Sequence, residues 1–202
     1  MSRITTTTTD VPTIDRRTLL CGLAGGAATA LTGCLSGGSG GDCTHPTDPD
    51  PVALGGGKQC DECGMVIARH PGPVGQIAYC DASPQDHANP AWFDALDPCL
   101  FDYYFAKREA GWEPTAIYVT DYSTVEPSVS RADGRQVVAA YVGADAFGPA
   151  REMTYVVDSG VEGAMGPAIV PFSDRSDAAA FRDRYGGELL AFEDITPAVV
   201  RG

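Results

Sequence analysis

MTYVVDSGVEGAMGPAIVPFSDRSDAAAFRDRYGGELLAF, residues 153 to 192, holds one complete run of structural elements. Met153 to Asp158 is β-branched and aromatic, the composition of a strand. Gly160 to Pro167 is a turn-rich loop, and Ala168 to Phe172 is a second strand. Ser173 or Asp174 then caps a helix that sets Ala178, Phe181 and Tyr185 on one side. Gly186-Gly187 ends that helix, because glycine tolerates the left-handed backbone of a helix terminus, and Glu188 to Phe192 forms a last strand. The order is strand, strand, helix, strand.

Upstream the same order recurs loosely. Met65 to Ala68 is a short apolar stretch, Pro71-Gly72-Pro73 a turn, and Val74 to Tyr79 an alternating strand. Asp97-Pro98 predicts an N-cap and first turn for a helix with Leu100, Phe101, Tyr104 and Phe105 on one face, stopping at Gly111. Thr115 to Asp121 is then a β-branched strand. The expectation is an α+β fold of two related ββαβ modules with small mixed or antiparallel sheets, at 58–122 and 135–202, joined by a linker at 123–134. A single mixed sheet fits the same elements.

The first 33 residues predict an export signal rather than part of the fold. Arg16 and Arg17 precede an uncharged run, Leu19 to Thr32, too short and too rich in Gly and Ala to span a membrane. The paired arginines point to the twin-arginine route. Leu31-Thr32-Gly33-Cys34 resembles a lipobox, with Cys34 the lipidated residue. Residues 34–57, rich in Gly, Ser, Pro and Asp, predict a flexible tether. The domain is therefore expected on the extracellular face of the cell membrane, held by lipid.

Charge narrows the partners. Residues 1 to 33 contain two acidic and three basic residues, so their removal changes the net charge from −13 to −14. Lys58 and Lys107 are the only lysines. So acidic a chain is a poor partner for nucleic acid, and it suits high salt, where repulsion is screened. A halophilic source is the expectation.

Cys60, Cys63, Met65 and His70 fall within eleven positions, in CDECGMVIARH. Beyond Cys34, the thiols are Cys43, Cys60, Cys63, Cys80 and Cys99. Four readings stand. Structural zinc would use Cys60-x2-Cys63 with Cys80 and Cys99, but eighteen residues separate the latter pair where a second knuckle is usual. A thioredoxin-like CxxC would need a preceding strand and a following helix, and here a tether precedes and Gly64 follows. A plain disulfide, Cys60–Cys63 or Cys80–Cys99, suits an exported domain. Soft-metal capture would use thiolate and thioether sulfur on Cu(I). Met65 stands two residues after Cys63, on the same face if the chain there is extended. Met153 lies in a β-branched strand and reads as core. Met165, in the Gly-flanked VEGAMGPA, has little core to fill. His70 could add nitrogen.

CDECGM, HPGPVGQIAY and GAMGPAIVPFSDRSDAAAFRDRYGGELLAFEDI together resemble the NosL family, over roughly Cys60 to Ile195. The resemblance implies two related ββαβ modules, binding of Cu(I), and supply of copper for the copper–sulfide cluster of nitrous oxide reductase. It places the metal at Cys63 and Met65, with Met165 a third ligand and Cys60 or His70 as competitors. Cys80 and Cys99 leave room for a different sulfur set. The implied protein is a metallochaperone, not an enzyme. Its partners would be copper, a copper-accepting exported enzyme or membrane assembly complex, and the membrane itself. The alternatives are a thiol enzyme, organomercurial-lyase-like or a disulfide reductase, and a binding lipoprotein stapled by disulfide or zinc.

Overall fold

The computed structural model describes Cys43, His45 and residues 48–200. Arg16, Arg17 and Cys34 lie outside the described residues. The strands are β1 (Gly75–Tyr79), β2 (Ala91–Phe93), β3 (Pro114–Thr120), β4 (Val129–Ala132), β5 (Arg135–Val138), β6 (Phe147–Pro149), β7 (Thr154–Val157), β8 (Val161–Gly163), β9 (Gly166–Pro167), β10 (Val170–Phe172) and β11 (Glu188–Ala191). The helices are α1 (Phe101–Glu109), α2 (Tyr122–Val125), α3 (Arg175–Tyr185) and α4 (Pro197–Val200). Among the described residues, no helix is long and apolar enough to cross a membrane.

These elements make an α+β fold of three small sheets, ordered β2-β1-β3-β6, β10-β7-β11 and β4-β5-β8-β9. A single mixed sheet is thereby excluded. In the first sheet β1 is antiparallel to both neighbours, with Gln76 opposite Trp92 on one side and Tyr118 on the other. In the second sheet β7 is central in the same way, with Val156 opposite Val170 and Leu189. All five residues of β1 are buried, so the strand is covered on both faces.

The third sheet is absent from the sequence expectation. The stretch read as a linker, 123–134, carries most of α2 and all of β4. The stretch read as a loop, Gly160 to Pro167, forms the β8–β9 hairpin, with β8 parallel to β5. These strands are two to four residues long and partly exposed, so their sequences lack a buried run to betray them. β6, from the second half of the chain, pairs with β3 in the first sheet, Val119 opposite Gly148.

One apolar core draws on both halves. Phe101 and Tyr104 of α1 meet Tyr155 and Phe192, with ring centroids 5.6–6.1 Å apart. Burial of one such ring contributes about 1.5–3 kcal/mol. A second cluster, around Tyr122, Val156, Val170, Phe172, Ala178 and Phe181, lies under α3.

The tether is shorter than its composition predicts. Gln76, buried on β1, holds Val52 from both sides: its amide donates to the Val52 carbonyl and accepts the Val52 N–H, each at 2.9 Å. Leu54 is fully buried, and its N–H donates to the Val142 carbonyl at 2.8 Å. One buried side chain, Leu54, and the backbone of Val52 bring this Pro- and Gly-rich stretch down onto the sheet. Cys43 is also tied in, by a disulfide to Cys80 at the end of β1. That pairing corrects both expected disulfides, Cys60–Cys63 and Cys80–Cys99. Among the described residues, Cys60, Cys63 and Cys99 are free thiols.

Candidate metal centre

The motif CDECGM folds as a tight loop. Gln59 bridges to Val66, the Cys60 N–H donates to the Met65 carbonyl at 2.8 Å, and the Gly64 N–H returns to the Cys60 carbonyl at 2.9 Å. Gly64 makes this turn with φ of +76°, a left-handed backbone that glycine adopts without strain. Cys63 and Met65 flank this turn and do not share one strand face, as an extended chain would have placed them. Met65 is half-buried beside the loop, tied to Cys60 through its backbone.

Asp61 fastens the loop to the first sheet. Its N–H donates to the Trp92 carbonyl at 2.8 Å, and its carboxylate accepts the Trp92 N–H at 2.6 Å. His87 stacks on the Trp92 ring, centroids 3.6 Å apart, and its Nε2 lies 3.0 Å from Asp61. So Asp61, between the two cysteines, is spent on positioning. Its work is to set Cys60 and Cys63 beside the end of β2.

There the chain leaves β2 at Asp94 and makes one wide turn, Leu96–Leu100, before α1. The Leu100 N–H reaches back to the Ala95 carbonyl at 3.1 Å. Asp97 has a non-helical backbone and Leu100 holds the N-cap position, so the expected Asp97-Pro98 cap does not form. Instead the turn delivers Cys99 to the cysteine loop. The Sγ atoms of Cys60, Cys63 and Cys99 and a carboxylate oxygen of Asp94 all lie within 4.8 Å of one another. Cys60, Cys99 and Asp94 are buried and Cys63 is exposed.

The thiols differ in proton affinity. A hydrogen bond from the Cys99 thiol holds Cys60 below its ordinary value, against the opposing effect of burial, and backbone N–H groups of Asp94 and Cys63 help. Cys99 is raised, first because it supplies that proton and then by burial. Desolvation pushes Cys63 up to about 12, even though the residue as a whole is exposed, because its sulfur turns inward to Asp94 Oδ1 at 3.3 Å. Among the described residues, Asp94 Oδ2 is buried without a hydrogen-bond partner.

The other predicted ligands, His70 and Met165, belong to two other turns. His70 is half-buried and ends the short turn Ile67–Arg69, its N–H on the Ile67 carbonyl at 3.3 Å. Met165 is at the tip of the β8–β9 hairpin, 44% exposed, which marks it as available rather than as core. The HPGP turn and the MGP hairpin meet: a methyl on Gly72 would come 2.7 Å from Gly163 Cα. Met153 is buried core, as its strand neighbours predict. Asp94 escaped the sequence reading altogether, and Cys99 entered only beside Cys80. In WFDALDPC nothing distinguishes a ligand from a turn residue; the nearest signal is a thiol directly after Pro98 at the expected helix start.

A small α+β scaffold that gathers three free thiols and a carboxylate at one loop is suited to holding a thiophilic metal. Residues 51–200 match NosL, and the chain belongs to the NosL family. The copper-binding lipoprotein NosL of Achromobacter cycloclastes is 34% identical over 158 residues, 77% of this chain and 69% of that protein. Its counterpart in Stutzerimonas stutzeri is 26% identical over 162 residues, covering 75% and 69%. The crystal structure of the copper chaperone NosL from Shewanella denitrificans superposes with a TM-score of 0.55 at 27% identity, over 75% of this chain and 99% of that one. These are names of metal-binding and carrier proteins, not of enzymes.

Proposed function

We propose that the protein is a lipid-anchored carrier of Cu(I) outside the cell membrane, handing copper to nitrous oxide reductase or a similar exported cuproenzyme during its maturation. The observation that carries this is Cys63, an exposed free thiol at the mouth of a buried thiol pair. Cys63 and Met65 are the proposed first ligands of the cargo ion, with Cys60 behind them and Met165 and His70 as further donors. Soft sulfur in low coordination number favours Cu(I) over harder ions.

Release follows from exposure. A donor on the accepting protein can add to copper at Cys63 before the first ligands leave, so the ion passes by stepwise exchange without becoming free. This chain's part is to present the thiol, keep Cys60 and Cys99 reduced and close by, and hold the loop through Asp61. The anchor at Cys34, reached through the twin-arginine signal at Arg16 and Arg17, would keep the carrier concentrated beside a membrane assembly complex. The family names of the relatives support the copper and the lipid anchor.

Met65→Leu keeps volume and apolarity but removes a soft donor. The expected result is an unchanged melting temperature with Cu(I) affinity lowered at least tenfold in an anaerobic chelator competition. Unchanged affinity removes Met65 from the site. Failure of the parent protein to hold Cu(I) at all sinks the carrier reading.

A further inference from the structure

We propose that His87 is a positioning residue of the copper loop: it acts through Asp61 and fixes the backbone on which Cys60 and Cys63 stand. The inference rests on the carrier reading for its copper readout, while the contacts themselves belong to the metal-free chain.

His87 lies in the polar segment between β1 and β2, residues 80–90. Asn89 closes the base of that segment. Its side-chain amide donates to the Tyr79 carbonyl at 2.9 Å and to the Ala82 carbonyl at 2.8 Å, and its oxygen accepts the Tyr79 N–H at 3.3 Å. From this base the imidazole reaches the CDECGM loop, with both ring nitrogens facing acceptors. Nδ1 lies 2.7 Å from the Ala88 carbonyl, and Nε2 lies 3.0 and 3.2 Å from the two oxygens of Asp61. A carbonyl and a carboxylate only accept, so the ring that satisfies both carries a proton on each nitrogen and a positive charge. The pair is mostly shielded, with 21% of the His87 side chain and 14% of the Asp61 side chain exposed. A charge-assisted contact in that setting is stronger than an open surface pair.

The same ring also sets Trp92. It lies flat on the indole, with 6° between the planes. Lys58 Nζ lies 5.0 Å from the centroid of that indole, a second cation drawn to its π-face. Trp92 Nε1 is buried without a hydrogen-bond partner among the described residues, so stacking rather than a side-chain hydrogen bond seats the indole. Asp61 meets the backbone of the same residue twice, through its N–H and through its carboxylate. The bonds from Cys60 to Met65 and from Gly64 to Cys60 close the loop on itself. Asp61 is where the loop meets β2, and His87 fixes the rotamer of that carboxylate. Without the imidazole the carboxylate can swing from the Trp92 N–H to water. The turn between Cys60 and Gly64 then gains freedom that copper must remove on binding, and affinity falls.

His87→Phe keeps a ring on Trp92 and removes both donors. His87→Arg restores a flat cation that stacks on the indole and donates to the carboxylate in two places. In anaerobic chelator competition on the full chain, Cu(I) affinity is expected to fall about tenfold in His87→Phe and to return to within about threefold of the parent in His87→Arg. In the metal-free chain, hydrogen exchange of the Asp61 and Gly64 amides should quicken in His87→Phe and slow again in His87→Arg, with the amides of β7 unchanged. Added to Asp61→Asn, His87→Phe should lower affinity no further, because its path runs through Asp61. Unchanged loop exchange, equal quickening in β7, additive loss with Asp61→Asn, or no recovery in His87→Arg would each overturn the proposal. So would an unchanged or raised Cu(I) affinity in His87→Phe; a rise would mean that the imidazolium repels the cation rather than supports its loop. Should the parent fail to hold Cu(I), the carrier reading falls and the exchange pattern alone decides His87. Should His87→Phe not fold, His87→Gln, with one donor left, takes its place under the same expectations.

Discussion

In the first sheet β1 stands between β2 and β3, with α1 between those two in the chain and β6 added beside β3; in the second β7 stands between β10 and β11, with α3 between those two in the chain, yet among the described residues only the first sheet has free thiols beside it. The difference lies in one connection. Between β10 and α3 stand two residues, Ser173 and Asp174, and Asp174 caps the helix through the Ser176 N–H at 2.7 Å. Between β2 and α1 stand seven, Asp94 to Leu100, and α1 begins without a side-chain cap. The short connection is optimised for the helix. The long one gives up the cap and places Asp94 and Cys99 next to Cys60 and Cys63. Two scaffolds of like topology thus separate stability from chemistry within one chain.

The largest effect that sharpens this contrast is pH. Cys63, at about 12, and Cys99, also raised, carry protons throughout the neutral range, while Cys60 is lowered and carries less of the load. A metal binds the thiolate, so each such proton must leave, and apparent affinity rises about tenfold per pH unit for each one released. Cu(I) held by Cys63 and Met65 should therefore gain about one log unit of affinity per pH unit between pH 6 and 8. Competition titrations at three pH values measure the slope. A slope near two would mean that Cys99, whose thiol is also raised, gives up its proton to the ion as well, and the long connection would then supply a ligand and not only a support.

How much of this contrast was legible beforehand follows from how signals are encoded. In the second sheet α3 reads well, because its cap, its apolar face and its Gly-Gly stop are all local, whereas the β8–β9 hairpin inside the same stretch reads as a loop. The first reads less well, since the Asp97-Pro98 pair mimics a cap that the wide turn then cancels. The third sheet is invisible to periodicity, being built of two hairpins of short, partly exposed strands from separate parts of the chain. At the site, Cys60 and Cys63 declare themselves by spacing. Asp94 and Cys99 lie 31 and 36 residues beyond Cys63, and only tertiary closure brings them near. The Cys43–Cys80 pair was hidden for the same reason, with one partner in a stretch that composition marks as tether.

That disulfide gives the next effect in size. It closes 37 residues and ties the incoming chain to the end of β1, the sheet that holds the thiols; the β10-β7-β11 sheet has no covalent tie among the described residues. Loop-closure entropy for that length predicts a loss of about 2–4 kcal/mol on replacing both cysteines with serine. Denaturant unfolding should show a lower midpoint with little loss of Cu(I) affinity at saturating fold, because neither cysteine belongs to the metal cluster. A large fall in affinity for a fully folded double variant would show that the incoming chain orders the cysteine loop, and that the first sheet does not hold its site alone.

The smallest effect tests the short connection. Asp174→Ala removes the acceptor for the Ser176 N–H and leaves an orphan donor at the start of α3. Loss of a cap of this kind lowers the stability of the helix start. The carboxyl of Asp174 is held below its ordinary value by hydrogen bonds from the Ser176 side chain and backbone. A depressed carboxyl contributes stability above its unfolded value and loses it as acid protonates the folded state. The difference in stability between parent and variant should therefore be full at pH 7 and shrink below about pH 4. Urea midpoints at the two pH values measure it. Metal affinity should not move, since α3 packs over the second sheet and supplies no donor to the thiol cluster. If Asp174→Ala did weaken Cu(I) binding, the two connections would be coupled through the shared core of Phe101, Tyr155 and Phe192, and the division of labour between them would be one of degree.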